Sequence, residues 1–235
     1  MTQHLTEEQK IEESEQLAKD SYFKASVIDQ IVNVRDCERG DENFLRLYRR
    51  IYVPKEWFTR TDIFSDLVFQ EFGSDIALSE KKFIVDEILK NNQIRRTTVD
   101  EINLRNLEET AGSLIGAGFE PTVILAPIDY FVPFYAEWLG PNLQIGMDRH
   151  KATLLRRQYS IFWSNMYMPF KEFIFLDRSF AEWISKPSFN NRFYVKISPS
   201  DKIDQYDFLA YTTLRFSITD LRKIAILQKN ETPSQ

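Results

Sequence analysis

Apolar positions are sparse at the start of the chain and then recur with two different periods. Residues 1–20 (MTQHLTEEQKIEESEQLAKD) hold Leu5, Ile11 and Leu17 as their only large aliphatics. That pattern predicts a polar, mobile segment whose helix gains too little from its own apolar face to stand without a partner. Between Tyr22 and Val34, Phe23, Val27, Ile28 and Ile31 return at helical spacing. A polar turn over 35–43 contains Gly40. A second helix is predicted through Phe44, Leu45, Leu47, Tyr48 and Ile51, stopping before Pro54. Residues 55–78 are aromatic and irregular, with a break expected at Gly73 and Ser74. Ser79 and Glu80 then open a spine-like helix at 79–90 with Phe83, Ile84 and Ile88 on its stripe. Thr98 and Glu101 stand at capping-box spacing, which predicts a further helix with Ile102, Leu107, Ala111 and Leu114 inward. Its end falls at Gly116 to Gly118.

After Gly118 the period shortens. The run 121–126 (PTVILA) is apolar throughout and reads as a buried strand, followed by a helix over 129–139. Strands are predicted at 159–163, 172–176, 193–197 and 223–227, with a short amphipathic piece at 180–184. The clearest signal spans 208–218: Phe208, Ala210, Thr212, Leu214, Phe216 and Ile218 alternate with Leu209, Tyr211, Thr213, Arg215 and Ser217. Alternation of that length predicts a long strand with one buried face. The expected fold class is α+β, with a helical N-terminal half and a mostly antiparallel sheet with helices in the C-terminal half. The expected divisions are 1–20, 21–118, 119–228 and a tail at 229–235.

Composition narrows the class. The chain has 235 residues, 43% of them hydrophobic and 14% aromatic, which is ample for a packed core and excludes global disorder. One cysteine, Cys37, cannot close an internal disulfide, and no Cys/His cluster has zinc-site spacing. No apolar run approaches membrane-spanning length, and the N-terminus is too polar for a signal peptide, so no membrane partner is expected. Residues 1–118 carry 16 Lys/Arg against 23 Asp/Glu, whereas 119–235 carry 14 against 12. An acidic first half argues against a protein devoted to gripping phosphates. Such segregation suits contact between unlike faces of identical subunits.

Catalytic patterns are missing. His4 and His150 lack a second ligand at metal spacing, and G-x-S-x-G does not occur. Glu80-Lys81-Lys82 imitates a nuclease triplet but opens a helix. Asp201, Asp204 and Asp207 share a spacing of three, yet follow Pro199-Ser200 and read as a solvated turn. Cys37 lies between Asp36 and Glu38, which disfavours a thiolate. No catalytic residue, cofactor site or metal site is assigned, and the chain reads as a non-enzyme.

The order of features after Gly118 resembles the A-domain of the HK97-type capsid fold shared by tailed-phage major capsid proteins and encapsulins. The residues that carry the likeness are 121–127 (PTVILAP) followed by Asp129 and Tyr130. They continue with Ile161-Phe162-Trp163, Ser164-Asn165, Pro169, the apolar 173–176 and Asp177-Arg178-Ser179. They close with the long strand holding Arg215, the turn at Thr219-Asp220 and the apolar 224–227. The resemblance covers about 110 residues, plus the spine-like helix. It implies a self-assembling shell or capsid subunit that acts without catalysis. The implied partners are copies of itself, with enclosed cargo or packaged nucleic acid. The implied location is a cytoplasmic compartment shell or a virion.

On that reading, burial of aromatic surface between copies drives assembly, and Trp57, Phe58, Trp138, Trp163 and Trp183 are the expected interface anchors. Two alternatives come from the residues themselves. One is a ligand- or nucleic-acid-binding regulator using the aromatic stretch 159–175 with Arg156 and Arg157. The other is a metal-dependent hydrolase using Asp201, Asp204, Asp207 or Glu80.

Overall fold

Residues 6–56, 63–138, 151–166, 168–185, 193–202 and 204–230 are described by the computed structural model, save the side chains of 63–67, 137 and 138. Two compact units share the chain. The first comprises Met1–Asp29, Val34–Val85 and Trp183–Phe216, and the second Gln30–Asn33, Asp86–Glu182 and Ser217–Gln235. Neither coincides with the division expected near residue 118, because the last long strand returns to the first unit while the helix before Gly118 joins the second.

In the first unit, helix α1 (Glu7–Ala25) starts on a capping box: Thr6 Oγ1 accepts from the Gln9 N–H, and Gln9 Oε1 accepts from the Thr6 N–H. Its apolar face is as thin as expected, with only Ser14, Ala18 and Tyr22 buried. A short helix α2 (Ile28–Ile31) and strand β1 (Asn33–Asp36) follow. Strand β2 (Leu45–Pro54) then occupies the segment expected to be helical. Leu47, Ile51 and Val53 line up with the inward positions of a partner strand, and that two-residue period outweighs the helical one. Helix α3 (Ile63–Lys90) runs unbroken through Gly73 and Ser74, the expected break. Gly73 instead serves close approach, since a Cβ there would collide with the Ala18 carbonyl oxygen of α1.

The first unit's sheet has five strands: β1, β2, β8 (Ala181–Ser185), β9 (Phe193–Pro199) and β10 (Gln205–Ile218). Within it β10 pairs antiparallel with both β2 and β9. The alternation read at 208–218 is this strand. Tyr206, Phe208, Ala210, Thr212 and Leu214 point inward. Phe69 and Phe72 of α3 meet Phe208 edge-on at 5.1 and 4.3 Å, and Tyr22 of α1 stacks on Phe193 at 4.4 Å. The thin face of α1 is therefore completed by partners from α3 and the sheet, each buried aromatic contributing on the order of 2–3 kcal/mol.

The second unit centres on a six-stranded sheet made of β3 (Arg95–Val99), β11 (Ile224–Lys229), β7 (Phe173–Leu176), β4 (Val123–Ala126), β6 (Arg157–Trp163) and β5 (Lys151–Leu154), in that order. β11 with β3 and β4 with β6 are parallel, and the other pairs are antiparallel. Every residue of β4 and β7 is buried, which is why both read as continuous apolar runs. Helix α4 (Leu104–Gly116) lays Leu107, Ala111 and Leu114 against Ile124, Ile161, Phe173 and Leu227. Its N-cap is Asn103, whose side chain accepts from the Asn106 N–H, so the Thr98–Glu101 spacing does not start it. Thr98 belongs to β3. Past its end Gly118 takes φ +86°, a left-handed position suited to glycine.

Candidate interaction surfaces

Trp57 and Phe58, and the side chain of Trp138, lie outside the described residues, as do both histidines. Trp163 is half-buried and packs edge-on against Phe131 and Phe134 at 5.1 and 5.5 Å, at the margin of the second core. Trp183 is 1% exposed, with Phe83 and Phe216 edge-on at 6.4 and 6.1 Å. It therefore offers almost no area to another copy, and the expectation that it anchors an interface is corrected. Its alternating neighbours on β8 put it on the inward face, which composition alone does not reveal.

Apolar side chains other than the tryptophans reach solvent. In the second unit the turn after β4 forms a short 3₁₀ stretch (Ile128–Tyr130), then helical turns through Phe134–Trp138. The Ile128 N–H donates to Ser164 Oγ at 2.8 Å, and Ser164 N–H donates to the Ala126 carbonyl at the same distance. That pair fixes the turn beside β6, and the rings of Phe131, Tyr135 and Trp163 pack against one another edge-on or tilted next to it. On this base Ile128 is 47% exposed, Val132 67% and Met166 82%. Sequence reading missed these three because isolated aliphatics beside aromatics read as core.

The Asp177-Arg178-Ser179 motif proves structural. Asp177 Oδ1 accepts from Ser179 N–H and Oγ, and Oδ2 accepts from the Glu120 N–H at 3.0 Å. Lys223 Nζ donates to Ser179 Oγ at 2.8 Å, tying the turn to the approach of β11.

The acids proposed for a hydrolase do not gather. Asp207 sits on β10 and takes both Nε and Nη2 of Arg50 at 2.7 and 2.6 Å, which hold its carboxyl below the usual range. Asp201 and Asp204 lie in the preceding turn. Glu80 is buried and accepts from the Tyr22 phenol at 2.8 Å. Burial, then the charge and hydrogen bond of Glu80, push that phenol well above its ordinary value. Among the described residues no three Asp, Glu, His or Cys side chains are placed to hold a metal. An open cavity of about 330 Å³ in the second unit is lined by Thr122, Gln158, Ser160, Lys151, Arg178 and Gln30. Arg156 lies in the turn of the β5–β6 hairpin and Arg157 opens β6, both exposed. No described helix is long and apolar enough to cross a membrane.

No protein-family model matches the sequence, and no curated protein matches it. Solved structures do. A chain of the virus-like particle from Pyrococcus furiosus superimposes with a TM-score of 0.67 at 12% identity, covering 93% of this chain and 99% of that one. The holo-SrpI encapsulin complex from Synechococcus elongatus gives 0.57 at 10% identity over 86% of each chain. The capsid of Cyanophage P-SCSP1u gives 0.60 at 8% identity, over 88% and 89%. The likeness extends over both units, well beyond the 110 residues that suggested it. The chain has the HK97-type fold.

Proposed function

We propose that this chain is a non-enzymatic shell subunit that assembles with copies of itself into a closed compartment or capsid. The observation that carries the reading is the near end-to-end match to a chain of a virus-like particle, which leaves little of either chain unaccounted for. The exposed Ile128, Val132 and Met166 support it, because burying them against a neighbour gains apolar area. Half-buried Trp163 lies in the base of that patch; Trp57, Phe58 and Trp138 stay candidate anchors on composition alone.

Negative-stain imaging and sedimentation of the purified protein test the proposal. Uniform particles far larger than 27.9 kDa are expected, and the Val132→Asp with Met166→Lys variant is expected to sediment as smaller species with an unchanged fold by circular dichroism. A monomer at high concentration across salt and pH overturns it.

A further inference from the structure

The open cavity of the second unit lies on the face of the six-stranded sheet turned away from α4. Strand register places it there. Lys151 of β5 stands opposite Ser160 of β6, and Ser160 opposite Val123 of β4, so the three form one row across three strands. Their chain neighbours Ala152, Tyr159 and Ile124 belong instead to the core beneath α4. Gln158 precedes Ser160 by two positions and shares its face.

The walls come from outside these strands. Arg178 enters from the 3₁₀ turn after β7, and Gln30 from α2. Asp177 accepts from the Ser179 N–H at 2.9 Å and from the Glu120 N–H at 3.0 Å, which pins the turn that carries Arg178. Ile31 and Val32, both 0% exposed, anchor the chain just past Gln30. Thr122 completes the rim. Its N–H donates to the Leu176 carbonyl at 3.0 Å, and its carbonyl accepts from the Ser160 N–H at 2.9 Å. A lining held on paired strands and a capped turn is already in place before any ligand arrives.

The chemistry of this lining is one-sided. Among the described residues that form it there are two cations, two amides and two hydroxyls, and no carboxylate. A cation would meet two like charges there, and an apolar ligand would strand six polar groups. The volume of about 330 Å³ falls at the lower end of small-molecule sites. We infer that the cavity binds a small organic dianion, a phosphate monoester or a dicarboxylate, between Lys151 and Arg178. The guanidinium fork of Arg178 suits two oxygens of one anionic group, and the Lys151 ammonium supplies a second point charge. Gln30, Gln158, Thr122 and Ser160 are the hydrogen-bonding groups for the uncharged part of the ligand. The inference goes beyond the shell reading and is independent of it, because every lining residue belongs to one unit of one chain.

Calorimetric titration of the full-length protein with glucose 6-phosphate and, separately, with succinate tests this. Saturable binding of at least one is expected. Binding of the sugar phosphate alone assigns a phosphate group, and binding of succinate assigns a carboxylate pair; either upholds the inference. Lys151→Ala and Arg178→Ala are each expected to weaken binding by about tenfold or more, since each removes a charge-assisted hydrogen bond. Gln158→Glu adds a negative charge at an exposed strand position with little change of shape, and a loss of similar size is expected. This variant keeps the test open if Arg178→Ala disturbs its turn, and circular dichroism of each variant reports the fold. Arg156→Ala removes an exposed cation outside the cavity and is expected to change nothing. No binding of either probe at millimolar concentration overturns the inference. So does affinity that is equal in the Lys151, Arg178 and Gln158 variants, or that falls as far with Arg156→Ala.

Discussion

The Tyr22 hydroxyl on α1 donates to Glu80 on α3 at 2.8 Å, across an interface from which solvent is almost entirely excluded. A buried carboxylate is costly unless its oxygens are occupied, so this bond joins α1 to α3 more firmly than the thin apolar stripe of α1 does. Ser21 reinforces it by donating to the Gln70 carbonyl at 2.5 Å. Tyr22→Phe is expected to cost about 1.5–3 kcal/mol, measured by urea denaturation. In the double mutant with Glu80→Gln the loss should fall short of the sum of the singles, as coupled partners require.

Helix approach at Gly73 sets a second expectation. Gly73→Ala gains about 1 kcal/mol of helix propensity but thrusts a methyl onto the Ala18 backbone, at a cost of roughly 2–4 kcal/mol. Net destabilisation by about 1–3 kcal/mol follows. Gly116→Ala, with open space around its Cβ position, should be neutral or stabilise by up to about 1 kcal/mol. Thermal melts of the two variants side by side separate packing from propensity.

The hairpin between β5 and β6 turns on Leu155 and Arg156, both left-handed at φ +50° and +62°. That geometry is the two-residue type I′ turn, which prefers Asn-Gly. Arg156→Gly is expected to add about 0.5–1 kcal/mol. Leu155→Asn should come out near zero, because Leu155 Cδ1 lies against the helix at Gly112, 3.6 Å from where a Cβ would stand, and asparagine forfeits that contact. Denaturation midpoints distinguish the two.

Lys81 is buried, and burial lowers its pKa from 10.5 to about 8. Below pH 8 both folded and unfolded chains carry the proton, and the folded state bears the full penalty of a buried charge. Between pH 8 and 10.5 the unfolded chain holds more protons, so stability rises with pH and the penalty of about 3 kcal/mol fades. Lys81→Met should therefore be more stable than the parent at pH 7, with the difference shrinking towards pH 10. A difference that is flat across the range sinks this prediction.

Much of the second unit was legible because local pattern and tertiary role agree there. Residues 123–126 and 173–176 are apolar throughout since helix or sheet covers both faces, and Gly118 ends α4 where a left-handed residue is required. The first unit was less legible. In β2, Tyr48 and Tyr52 are exposed on one face while Leu45, Leu47, Ile51 and Val53 share the other, so both faces carry apolar or aromatic residues and the helical and extended periods compete. The continuity of α3 past Gly73 depends on α1 crossing there, a contact that no local window contains. A cross-strand row of tyrosines was invisible for the same reason: Tyr48, Tyr194 and Tyr211 meet only once three distant strands pair.

That pairing has a bearing on biosynthesis. β2 and β10 are joined in register across separations of 151 to 169 residues, from Pro54 with Gln205 to Leu45 with Leu214. At roughly 5–20 residues per second, a ribosome takes about 8–30 s to supply the missing strand. Throughout that interval Phe69, Phe72 and Ile76 lack the strand that completes their cover, and the second unit is itself unfinished, because its strand β11 lies later still in the chain. Closure of the first unit is thus withheld until β10 has been synthesised, which leaves its aromatic core partly uncovered on the nascent chain for that interval.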